Sequence, residues 1–182
     1  MNRTTPLLRV LITVAMLTTA STFGAHHASG EKAKTNPIDA CWIKGSRTEI
    51  GDWTFEGHWN NNDGQMVDFR GTCTVGATSS NSFGGRCVNT LTEQSFGNTW
   101  SITDGETTRN NGRGEFSRTV TSCEELDNGH FLTVESGSND TWDFESRYVI
   151  TPDFTIFLSQ RRPAGTDGAF WPFITRWNTR VK

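Results

Sequence analysis

Gly51-Asp52-Trp53-Thr54-Phe55-Glu56-Gly57-His58-Trp59 alternates large apolar or small residues with polar ones. In an extended strand Trp53, Phe55, Gly57 and Trp59 share one face. Thr54, Glu56 and His58 take the other, because successive side chains point to opposite sides. Ile50-Gly51-Asp52-Trp53 supplies a close turn and then a large ring at the strand's start. The chain that follows reads as further strands able to wrap round this aromatic face.

Downstream the same pattern returns between turn signals. Asn60-Asn61-Asn62-Asp63-Gly64 is a turn, and the next strand sets Val67, Phe69, Gly71, Cys73 and Val75 against Asp68, Arg70, Thr72 and Thr74. That alternation implies one dry face and one wet face. Phe83-Gly84-Gly85-Arg86 reads as a bulged strand start. Asp104-Gly105, Asn111-Gly112 and Asn128-Gly129 are hairpin pairs separating Thr99–Thr103, Glu115–Thr121 and His130–Glu135. Trp142, Phe144, Ser146, Tyr148 and Ile150 then share a face, and Thr151-Pro152-Asp153 turns into Phe154–Gln160. Arg161–Gly168 reads as a polar loop and Ala169–Val181 as the last strand, with Pro172 marking an edge or a bulge.

No convincing amphipathic helix follows Ile50. Before it, Ile38, Cys41 and Trp42 have helical spacing, enough for a short helix closing one end. Eight or more strands joined by hairpins predict an all-β sandwich or barrel, and sequential hairpins without long crossovers favour an antiparallel up-and-down β-barrel. Seven tryptophans and twelve phenylalanines supply the apolar volume for its core.

The first residues read differently. Arg3 and Arg9 flank and interrupt an apolar run, Leu7 to Ala20, with small residues ending near Ala20 or Ala25. That is the plan of a secretory signal peptide over 1–25, and the run is short for a bilayer span. Residues 26–37 read as a flexible leader, leaving 38–182 as a single barrel domain. A formal charge of −3 without a basic stripe argues against nucleic-acid binding. The predicted location is the periplasm or the exterior, with no stable membrane insertion.

Four cysteines in an exported chain imply two disulfides. If Met66–Val75 and Phe83–Leu91 form a hairpin through Thr78–Ser82, Cys73 and Cys87 are equidistant from its centre and face each other. Cys41 then pairs with Cys123 by elimination.

Ile50-Gly51-Asp52-Trp53 resembles the G-x-W opening of the calycins, the lipocalin-shaped barrels. Arg70-Gly71-Thr72-Cys73-Thr74-Val75 resembles the R-G-T-x-x-V strand of a bacterial calycin-like family to which no reaction is assigned. Pro152-Asp153-Phe154-Thr155 and the basic ending Arg176–Lys182 extend the likeness over roughly Ile50 to Lys182. The T-D-Y and arginine signatures of lipocalins proper are not evident. The resemblance implies an eight- to ten-stranded barrel with an internal cavity.

Trp53, Phe55, Trp59, Phe69, Trp142, Phe144 and Tyr148 are the candidate lining of a ligand cavity, together with Arg118. Packing as plain core is the competing reading of the rings. Arg118 alternates with Phe116 and Val120, so it either anchors an acidic head inside or lies on the outer face. Arg161, Arg162, Arg176, Arg180 and Lys182 read as a solvated face. His58 shares a polar face and His130 lacks co-ligands, so no metal or cofactor is expected; the remote alternative is copper chelation by His26, should cleavage after Ala25 leave it N-terminal. No catalytic residue is identified, for no G-x-S-x-G, H-E-x-x-H or phosphate-cradling loop occurs. Glu56, Asp143 and Glu145 are the carboxylates open to acid–base work. The function predicted is binding of a small hydrophobic or amphipathic molecule. The alternatives are a small enzyme (isomerase, cyclase or hydrolase) acting in the cavity, and a filled barrel serving structure or envelope contacts.

Overall fold

In the computed structural model residues 36–111 and 114–182 are described. They form one α-helix, α1 (Pro37–Thr48), and ten strands. These are β1 (Gly51–Asn60), β2 (Met66–Ala77), β3 (Ser82–Asn89), β4 (Gln94–Thr103) and β5 (Glu106–Asn110). After them come β6 (Glu115–Leu126), β7 (His130–Ser138), β8 (Trp142–Ile150), β9 (Phe154–Pro163) and β10 (Trp171–Arg180). Each strand pairs antiparallel with the next, and β1 with β10 closes the barrel. This is the predicted all-β up-and-down architecture, with the short helix at one end. The segment read as a signal peptide, 1–25, and His26-His27 lie outside the described residues.

Hairpin chemistry sets the order. Asp104 and Gly105 both take positive φ, 51° and 81°, as do Asn128 and Gly129 at 64° and 72°. Turns of that kind match the right-handed twist of the strands they join. The register gives Trp53, Phe55 and Gly57 an inward face, all three buried. Across the β2 ladder their partners are Cys73, Gly71 and Phe69. A Cβ on Gly71 would lie 1.9 Å from the Val88 carbonyl oxygen and 2.5 Å from Phe55, so the wall closes round the Phe55 ring only with glycine there.

Cys73 sits opposite Cys87 in the β2–β3 ladder and is bonded to it, while Cys41 is bonded to Cys123. Both predicted pairs are present. The bulge expected at Phe83–Arg86 is not: Gly84 and Gly85 pair regularly with Gly76 and Val75. An extra residue there would throw Cys87 out of register with Cys73. Register shifts occur instead between Val120 and Ser122 and between Pro172 and Ile174, the second where proline cannot donate to the ladder.

Helix α1 stops one end of the barrel. Asn36 Oδ1 accepts the Ile38 amide at 3.0 Å, and Pro37 occupies the first turn, where its missing N–H is harmless. Asp39 accepts the backbone amides of Asp104 and Gly105 at 2.9 and 2.8 Å, tying the helix to the β4–β5 turn. Trp42 then packs with Phe83, Ile102 and Val120 as a buried plug. Phe131, Tyr148 and Ile150 form a second cluster.

Arg180 locks this end from β10. Its guanidinium donates to the Thr48, Ile50 and Pro152 carbonyls and lies 4.4 Å from the Trp53 ring centre. Among the described residues no helix is long and apolar enough to cross a membrane.

Candidate functional site

The alternation that buries Trp53 also decides which charges enter the barrel. Through the ladders, inward phase passes from Ile102 to Thr107, and so to Arg109; Thr107 pairs with Arg118. Val120 leads to Glu135, which pairs with Ser146; Ser146 pairs with Ser159. Arg176 faces Phe157 on one side and buried Gly57 on the other. Charged side chains from β5, β6, β7 and β10 therefore project into the barrel among aromatic rings, and β9 adds Arg161.

Glu135 is fully buried, and its Oε1 accepts Arg109 Nη2 at 2.6 Å and Trp42 Nε1 at 3.3 Å. Its Oε2 has no hydrogen-bond partner, nor has Arg109 Nε. Arg109 lies 4.9 Å from the ring centre of Tyr148, which stacks on Phe157 at 4.7 Å. Burial alone would lower the Arg109 pKa, but the adjoining Glu135 carboxylate outweighs it and holds the guanidinium more firmly protonated. Burial pushes Tyr148 up to about 12, against the pull of Arg109.

Glu49, at the C-terminal cap of α1, completes the inner wall near Arg176, Thr155, Arg109 and Glu135. Burial raises its pKa, although Arg176 and Thr155 favour the charged form. Burial also lowers the Arg176 pKa. The Arg176 guanidinium lies 5.5 Å from the Phe157 ring centre, and its buried Nε has no hydrogen-bond partner.

Arg118 is inward and half-buried, which settles the choice of face left open by the sequence. Its Nη1 donates to Ser146 Oγ, which donates to Ser159 Oγ at 3.0 Å. Its guanidinium carbon is 5.4 Å from the ring centres of both Phe116 and Phe144. Farther towards the end opposite α1, Arg161 lies 4.2 Å from the rings of Trp142 and Phe173. It also donates to Asn62 Oδ1 and to the Asn60 and Asn61 carbonyls, spanning from β9 to the β1–β2 turn.

The other predicted lining residues are spread more widely. Trp53 is 3% exposed beneath Arg180, and its Nε1 donates to the Glu49 carbonyl at 2.6 Å. Phe55 packs against Phe69 and Phe96. Trp59 is 37% exposed at the end opposite α1. Phe144, Arg118, Tyr148 and Trp142 stand with the arginine cluster, whereas Trp53, Phe55 and Phe69 belong to the packed wall.

Two expectations are corrected. Arg161 belongs to β9 rather than to a polar loop, and it is 5% exposed. Arg176 also faces inward, so neither belongs to a solvated face; strand alternation overrides the hydrophilic look of these segments. Arg162, one position out of phase, does sit outside against Asp143 at 3.2 Å. The candidate carboxylates do not converge either. Glu56 accepts from Trp177, Glu145 pairs with Arg147, and Asp143 is held below the usual range by Ser138 and Arg162. His58 stands on the outer face against Trp177.

A depression of about 330 Å³ lies outside the barrel over Thr54, Glu56, Arg70 and Trp177, and one of about 320 Å³ borders α1. Neither is lined by the inward arginines.

No protein-family model matches this chain, and no curated protein sequence matches it. Solved structures do. The fold is similar to that of Rv2717c from M. tuberculosis, with a TM-score of 0.53 and 9% identity over 82% of this chain and 100% of that one. It is also similar to CPES, an S-type phycobiliprotein lyase from Guillardia theta, at a TM-score of 0.50 and 13% identity over 78% and 97% of the two chains. The barrel is calycin-like. At these identities the likeness is one of fold.

Arg109, Glu135, Glu49 and Ser159 are the residues of this cluster that the sequence alone did not single out, and Arg176 is the one it placed on a solvated face. For Glu135, Ser159 and Arg176 the signal was phase, an inward position in a strand with apolar residues of its own; Arg109, on the all-polar β5, acquires its phase from pairing with β4. Glu49 had none, because it sits at a helix end.

Proposed function

We propose that this chain is an exported barrel that holds one small apolar or amphipathic molecule in its interior. The observation that carries this reading is the surface retained by inward-facing side chains. Trp100, Arg109, Arg118, Phe144, Phe157 and Arg176 face inward yet are only half-buried. In a closed barrel, such surface is reached through the interior. Ten strands also give a wider interior than the eight whose side chains just fill it. Rings and a few convergent polar groups are the lining that small-molecule sites use.

Trp53, Phe55, Trp59, Phe69, Arg118, Trp142, Phe144 and Tyr148 form the proposed lining, with the first four supporting the wall. Two disulfides fit a non-reducing compartment. With the signal-like residues 1–25 they support a periplasmic or secreted protein, its barrel spanning 38–182. The CPES neighbour, named as a phycobiliprotein lyase, is compatible with a calycin-like barrel put to small-molecule use.

Native mass spectrometry of protein purified from its own host tests the reading. The expected result is a retained non-protein mass released on denaturation. Protein that is empty as isolated and takes up no small apolar or amphipathic compound would support the filled, structural barrel instead.

A further inference from the structure

We propose that the molecule held in the barrel is an organic anion, its compact oxyanion head seated between Arg118 and Arg176 and its apolar body directed towards Phe144 and Trp142. This rests on the binding reading above and narrows it to one chemical class.

The interior has more cations than carboxylates to meet them. Arg109, Arg118, Arg161 and Arg176 point inward; Glu135 and Glu49 are the inward acids identified beside them. Glu135 is engaged by Arg109 and Trp42. Arg161 is held by neutral oxygens and rings at the far end. Arg118 has a serine hydroxyl and two ring faces, but no carboxylate. Arg176 makes no ion pair among the described residues, and its Nε is buried without a partner.

Glu49 is the acid nearest in influence to Arg176, and burial biases that carboxyl towards its neutral form. A guanidinium drawn from water without an anion is costly. A bound oxyanion offsets the cost through charge-assisted hydrogen bonds, and the planar fork of arginine suits a carboxylate or phosphate. A neutral ligand would leave Arg176 unpaired, and a cation would be repelled. The polarity is also directional. Phe116, Phe144, Trp142 and Phe173 lie on the side of Arg118 away from α1, where an apolar body has rings to meet.

The test is calorimetric titration of the intact protein with decanoate, decyl phosphate and 1-decanol. Either anion should bind at least tenfold more tightly than decanol, and the better anion names the head group. Equal binding of all three would overturn the anion inference and leave the binding reading standing. Binding of none would count against both.

Arg118→Gln and Arg176→Gln should each weaken binding of the anions at least tenfold and reduce the preference for anion over decanol. Arg70→Gln, on the outer face, should bind as the parent does. The Arg176→Gln protein without ligand should melt no lower than the parent, since an unpaired, half-buried cation has been removed. A lower melting temperature with undiminished anion affinity would assign Arg176 a purely structural role and sink the proposal. If Arg176→Gln does not fold, Arg176→Lys keeps the charge without the fork and should still lose anion affinity; parental affinity there would also overturn the bidentate head site.

Discussion

Arg109 Nη2 lies 2.6 Å from Glu135 Oε1, and the glutamate is wholly inside the barrel. The pair joins β5 to β7 across the interior, and through Trp42 Nε1 it reaches α1. A buried ion pair is weak evidence for stability, because desolvation offsets much of its attraction. Losing one partner is another matter.

Glu135→Gln or Arg109→Met alone should therefore destabilise by about 3–5 kcal/mol, the usual cost of an orphaned buried charge. The double variant Arg109→Met with Glu135→Leu should recover much of that loss. Urea unfolding of the two singles and the double measures it. Additive losses would show that the two side chains do not act as a pair.

Tyr148 is the single tyrosine in the chain, so its titration can be followed without assignment. Burial holds its phenol at about 12 against an ordinary value of 10.0. Because the folded pKa is the higher one, stability is intact below pH 10 and falls as pH rises towards 12. The two-unit difference corresponds to about 3 kcal/mol by linkage. Phenolate absorbance should rise with a midpoint near 12 in native protein and near 10 in urea, and Tyr148→Phe should lack this alkaline loss of stability. A native midpoint near 10 would place the phenol in solvent.

Much of this barrel was legible because strand alternation needs no long-range information. Trp53, Phe55 and Gly57 announce their face within one segment, and Asp104-Gly105 announces its turn. The disulfide between Cys73 and Cys87 follows from one hairpin register. β5 was harder: Glu106–Asn110 contains no apolar side chain, so it offers no hydrophobic phase of its own. Its phase comes from Ile102 opposite Thr107, a relation that exists only after pairing. Arg161 and Arg176 were misplaced for the same reason. Composition marks an arginine as exposed, whereas the ladder fixes where it points. Glu49 depends on the angle at which α1 meets the barrel, which no local pattern encodes.

The two disulfides should not contribute equally. Cys41–Cys123 spans a separation of 82 residues, and Cys73–Cys87 spans 14. In the chain-entropy account these correspond to about 4.5 and about 3 kcal/mol. Cys41→Ala with Cys123→Ala should thus lower stability by about 1.5 kcal/mol more than Cys73→Ala with Cys87→Ala. The first pair also frees α1 from β6, so its loss should expose Trp42 to fluorescence quenchers. Equal losses in urea unfolding would mean that native-state packing, rather than the length of the loop, sets the contribution.

Glu49 gives the barrel a pH dependence opposite to that of a salt-bridged carboxylate. Its ordinary pKa is 4.5, and burial raises it in the folded protein despite Arg176 and Thr155. The native state thus holds the Glu49 proton more tightly than the unfolded chain does. Its contribution to stability is complete below pH 4.5 and is lost as pH rises through the elevated folded value. Glu49→Gln fixes the neutral form. That variant should match the parent near pH 4 and melt at a higher temperature near pH 8, with the gap opening between them. The comparison isolates Glu49, because every other titrating group is common to both proteins. A gap that opens instead below pH 4.5, with the parent the more stable at pH 8, would mean that Arg176 outweighs burial and holds Glu49 as an anion.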